Sequence, residues 1–133
     1  MALSKDGHTQ IYTVNADGSN LRRASNSPGI DTEPQWSADG NSIYFTSDRS
    51  GGPQIYRMNP DGGDAKRITF GGAYNISPRI SADGKTLAYI SRRDNNFQLY
   101  VLDLASSQEL RLSDTILDES AEEIESLAAA LLV

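Results

Sequence analysis

The stretch QIYRMNPDGG at residues 54–63 occurs in three versions along the chain. QIYTVNADGS begins at Gln10, QIYRMNPDGG at Gln54 and QLYVLDLASS at Gln98, so successive copies start 44 residues apart. The likeness extends beyond this stretch: PQWSADGNSIYFTSDRSGGPQIY (34–56) aligns with PRISADGKTLAYISRRDNNFQLY (78–100) at the same offset. A fixed period of this size means one supersecondary unit repeated, each copy burying its apolar face against the next.

Within a unit the periodicity is that of strands. SIYFTS and TLAYIS alternate small or polar residues with larger apolar ones, as half-buried strands do. Ser-Ala-Asp-Gly at 37–40 and 81–84 reads as a turn, the Asp bonding its own backbone and the Gly tolerating positive φ. A Gly/Asn-rich loop, the repeated QIY or QLY strand, a second turn and a short last strand (KRITF, LRLS) complete the unit. Four short antiparallel strands in about 44 residues are the signature of a β-propeller blade.

The expected fold is therefore all-β: a partial propeller of about three four-stranded blades, followed by a short C-terminal α-helix. Residues 1–25 hold only the later strands of a first blade, 26–70 form a second and 71–113 a third, with 114–119 as linker. A closed propeller takes about 4–8 blades, so this stretch alone does not close a ring. Tyr12, Tyr44, Tyr56, Tyr89, Tyr100 and Trp36 are expected to pack between blades.

Charge separates the body from the tail. All 12 Lys and Arg lie at or before Arg111, together with 12 of the 18 Asp and Glu, so the repeat body is neutral. Asp114, Asp118, Glu119, Glu122, Glu123 and Glu125 carry the whole net charge of −6. A neutral body has no electrostatic footprint for nucleic acid. No apolar run approaches the ~18–20 residues of a membrane span. No basic-then-apolar leader opens the chain, so an exported parent would carry its signal peptide elsewhere.

Enzyme chemistry and cofactors are not expected. There is no Cys and one histidine, His8, read as a surface residue beside a turn. G-x-S-x-G, P-loop and dinucleotide fingerprints are absent. Asn59-Pro60-Asp61-Gly62-Gly63-Asp64 lacks the alternating ligands and closing Glu of a calcium loop, and turn chemistry accounts for it.

The combination ALSKDG, TEPQWS, RITFGG and TILDES, in that order, resembles the TolB propeller family of the Tol–Pal envelope system of Gram-negative bacteria. The resemblance covers residues 1 to about 120. It implies a non-enzymatic, periplasmic, six-bladed propeller that binds the peptidoglycan-associated lipoprotein Pal, with the partner docking where loops enter the innermost strands. Thr32 and Glu33 match the family's T-E-P motif there, and Asn75, Asp118 and Glu119 occupy the corresponding loops of the next units. Single repeats of this kind also resemble propellers of prolyl-oligopeptidase-like peptidases, which would require a hydrolase segment elsewhere.

The family pattern gives way to AEEIESLAAALLV after Ser120. Residues 120–133 read as an amphipathic helix: Ser120 and Glu123 form a capping box, and Ile124, Leu127, Ala128 and Leu131 share one face. So short a helix is marginal alone and is expected to dock, either capping the last blade or pairing with a second chain. The alternative to Pal binding is thus a truncated or redesigned self-assembling module, and a homo-oligomer is expected because two such chains approach six blades.

Overall fold

A computed structural model describes residues 1–5 and 8–112. The helix expected at 120–133, the linker at 114–119, and the candidate residues Asp118, Glu119, Ile124, Leu127, Ala128 and Leu131 all lie outside the described residues.

Eleven strands are formed among the described residues: β1 (Ala2–Lys5), β2 (His8–Thr13), β3 (Arg22–Arg23), β4 (Asp31–Trp36), β5 (Ile43–Ser47), β6 (Gln54–Met58), β7 (Lys66–Arg67), β8 (Asn75–Ile80), β9 (Thr86–Arg93), β10 (Asn96–Asp103) and β11 (Gln108–Arg111). They make three antiparallel sheets in meander order, β1-β2-β3, β4-β5-β6-β7 and β8-β9-β10-β11. The first has the last three strands of the repeat; the other two have all four.

Turn chemistry sets the connections. Asp39 Oδ1 accepts the Ser37 hydroxyl at 2.6 Å and the Asn41 N–H at 2.9 Å, and Asp83 repeats this with Ser81 and Lys85 at the same distances. These bonds replace backbone partners that a free turn would take from water, and they fix where β5 and β9 begin.

The sheets stack face to face through alternation along the strands. Ile11 meets Ile43, Phe45, Tyr56 and Met58 between the first and second sheets. Tyr44 and Ile55 point the opposite way and meet Leu87, Tyr89, Tyr100 and Leu102 between the second and third. Tyr44, Tyr56, Tyr89 and Tyr100 belong to these between-sheet clusters, as expected; within a sheet, the cross-strand pairs Phe45–Tyr56 and Tyr89–Tyr100 stack with ring centroids 5.9 and 6.0 Å apart. Burying each such side chain contributes about 1.5–3 kcal/mol, and the middle strands of the second sheet do so on two faces.

Trp36 lies between the first two sheets, as expected, but is not buried there. It closes β4 and is 49% exposed. Its position past the packed part of the sheet leaves the indole lining a groove with Arg22, Arg23 and Pro60.

Candidate functional site

The first strands of the complete units, β4 and β8, lie where the sheets converge: β8 packs against β4, β5 and β6, and β4 against β1 and β2. Each is interrupted at the same point. The β4–β5 register shifts between Thr32 and Gln35, and the β8–β9 register between Ile76 and Arg79. Within these bulges Glu33 has φ 54° and Ser77 φ 58°, a left-handed conformation that non-glycine residues seldom take. A bulge turns its side chain away from the regular face.

Here the two turned side chains find each other. Ser77 Oγ donates to Glu33 Oε2 at 2.6 Å, and the Ser77 N–H is shared between Glu33 Oε1 and Thr46 Oγ1, each at 3.2 Å. Two residues further along, Arg79 donates to Gln35 Oε1. Both bonds join residues 44 apart, so equivalent positions of successive repeats touch across the inner rim. Thr32 and Glu33 are half-buried, leaving part of each side chain open to solvent.

Beneath this rim lies a buried polar layer that is also repeated. Asp31 is fully buried; its carboxylate accepts from Ser47 Oγ at 2.5 Å, Ser27 Oγ at 2.9 Å and the Arg49 guanidinium at 2.9 Å. That guanidinium also lies over the Phe45 and Tyr56 rings, at 5.2 and 4.9 Å. Asn75 stands 44 residues later, likewise fully buried, with its Nδ2 donating to Gln54 Oε1 and the Gly71 carbonyl, both at 2.8 Å. Its Oδ1 has no partner among the described residues.

The sequence-derived candidates are therefore sorted by depth. Thr32 and Glu33 are at the accessible rim. Asn75 is not: zero exposure leaves nothing for a partner to touch, and its hydrogen bonds serve to tie the 71–75 loop to β6. Gln35, Ser77 and Arg79 join the rim without having been candidates. The signal available for Gln35 and Arg79 was their spacing of 44, which marks them as neighbours once the sheets stack.

On the third sheet, Tyr89 donates to Glu109, which also pairs with Arg93 at 2.5 Å. Burial first, and then the bond to Glu109, push the Tyr89 hydroxyl pKa far up, so the phenol stays protonated and donates. No group of three or more His, Cys, Asp or Glu is placed to hold a metal among the described residues.

Stacked four-stranded antiparallel meanders with converging first strands define a β-propeller module. Comparison with known proteins narrows the class. Residues 1–123 match the TolB β-propeller domain, and the chain belongs to that family. A 45-residue stretch is 67% identical to the Tol-Pal system protein TolB of Bordetella pertussis, covering 33% of this chain and 10% of that protein. The crystal structure of TolB from Acinetobacter baumannii matches with a TM-score of 0.80 and 38% identity over 90% of this chain and 30% of that one. The tricorn protease structure matches at TM-score 0.60 and 20% identity, over 86% of this chain and 10% of that chain, a likeness of fold alone. The chain spans about a tenth of its curated TolB relative and less than a third of the solved one.

Proposed function

We propose that the chain is a protein-binding propeller module of the Tol–Pal system, acting in the periplasm and without catalysis, and that its inner rim at Thr32 and Glu33 contacts the lipoprotein Pal. The observation that carries this reading is Glu33. A glutamate held in left-handed backbone costs about 1–3 kcal/mol, and the bulge that imposes it brings a half-open carboxylate to the edge where sheets converge.

The test is titration of purified Pal against the 133-residue chain, with Glu33→Gln and Thr32→Ala as variants. Gln keeps an acceptor for Ser77 while removing the charge. A loss of about tenfold in affinity, or more, is expected for Glu33→Gln, the usual scale for a charged interfacial hydrogen bond. No measurable Pal binding by the parent chain would overturn the reading.

A further inference from the structure

At the opposite end of β4 from Thr32 and Glu33, a groove of about 460 Å³ opens between the first two sheets. We propose that it docks an acidic peptide segment, one apolar side chain lying against Trp36, Val14 and Pro60 and a neighbouring carboxylate between Arg22 and Arg23. The volume is in the range of ligand-sized clefts, about 300–1,000 Å³.

The walls divide into two chemistries. Trp36 and Val14 are 49% and 40% exposed, large apolar surface without a covering neighbour. Arg22 and Arg23 are each oriented by one hydrogen bond through Nε, to Asn20 Oδ1 at 3.1 Å and to the Ser25 carbonyl at 2.9 Å. This fixes the guanidinium planes and leaves their outer N–H groups for a ligand. Neither guanidinium is ion-paired among the described residues. The carboxylate in the lining, Asp61, bonds the Gly63 N–H of its own turn at 2.8 Å.

The repeat supplies an internal comparison. The groove between the second and third sheets, about 270 Å³, includes Arg67 and also Glu109. Forty-four residues on from Asn20 and Trp36 stand Asp64 and Ile80. The later groove sets one arginine against one carboxylate and has no indole; the earlier one has two arginines to the single carboxylate of Asp61, beside an exposed indole. Trp and Arg are the residues that most often anchor protein recognition, and unpaired arginines select a carboxylate. A free anion would use the arginines alone and leave the indole uncovered.

Trp36 is the chain's single tryptophan, so its fluorescence reports the groove directly. The probe is the peptide acetyl-Leu-Glu-Leu-Glu-amide, titrated into the full chain at low salt beside its Gln-for-Glu counterpart and sodium acetate. The expected result is a saturable change in Trp36 emission with the Glu peptide. Its Kd rises about tenfold with the Gln peptide, with Arg22→Ala and with Arg23→Ala, the scale of one lost charge-assisted contact. Arg67→Ala, in the second groove, leaves it unchanged. Equal binding of the two peptides, the same response to acetate alone, an equal loss in Arg67→Ala, or no saturable change with the Glu peptide would each overturn the proposal. Because no arm uses Pal, failure here is separate from failure at the inner rim.

Discussion

Asp31 and Asn75 occupy one position of the repeat, yet their surroundings differ in hydrogen-bond polarity. Asp31 faces a donor, the Ser27 hydroxyl, besides Ser47 and Arg49. At the position matching Ser27 the later unit has Gly71, whose carbonyl accepts from Asn75. A carboxylate suits the first environment and an amide the second. Exchanging them is therefore destabilising in both directions despite the repeat symmetry. Asp31→Asn removes the buried partner of Arg49, and Asn75→Asp sets a carboxylate oxygen against the Gly71 and Gln54 oxygens. Each is expected to cost about 1–3 kcal/mol, read as a lowered midpoint in urea unfolding with an unchanged slope. A neutral or stabilising Asn75→Asp would show that its unpartnered Oδ1 governs the site instead. None of this was legible in the sequence, where Asn at 75 looks like a loop residue: a side chain's depth is decided by what packs over it, here Gln54 and Gly71.

The turns show how much an element's own sequence dictates. The Ser-x-Asp-Gly motif specified its turn, its Asx bonding and its left-handed glycine, and φ is +74° at both Gly40 and Gly84. Gly40 has nothing within 4 Å of an added Cβ, so Gly40→Ala should cost only the left-handed strain of about 1–2 kcal/mol. Gly62 carries the same Asp-Gly signature, but a Cβ there would lie 1.6 Å from the Ala24 carbonyl oxygen of the preceding sheet. Gly62→Ala must also push the first two sheets apart, and its loss in thermal stability should clearly exceed that of Gly40→Ala. The same turns predict an acid response. The Ser37 hydroxyl, and then the Asn41 N–H, hold the Asp39 carboxyl below its ordinary pKa, as Ser81 and Lys85 do for Asp83. A depressed carboxyl favours the fold above the usual carboxylate range and loses that contribution as pH falls through its folded value. Ser37→Ala should raise the Asp39 midpoint in an NMR carboxyl titration and leave Asp83 in place. The strands were legible for the same local reasons. The bulges at Glu33 and Ser77 were not, since neither residue type favours left-handed backbone and only the neighbouring sheet's hydrogen bonds hold them there.

Across the whole molecule, the second sheet is the one whose two faces are both packed against described neighbours, through Phe45 on one side and Tyr44 on the other. Among the described residues, the main contacts between sheets join adjacent ones, as in arrays whose stability sums over units and nearest-neighbour interfaces. Damage to one interface should then stay on its own side. Phe45→Ala opens a cavity between the first and second sheets and Leu87→Ala one between the second and third, at about 2–5 kcal/mol each. In native-state hydrogen exchange, Phe45→Ala is expected to speed β2, β5 and β6 while β9 and β10 keep most of their protection; Leu87→Ala should spare β2 and release β9 and β10. The Glu33–Ser77 and Gln35–Arg79 bonds are the counter-argument, because they stitch the second sheet to the third along the inner rim. If that stitching dominates, Phe45→Ala raises exchange in the second and third sheets together. Adding Ser77→Ala to Phe45→Ala should then restore independent behaviour. The comparison therefore measures whether the rim that presents Glu33 also makes the sheets unfold as one.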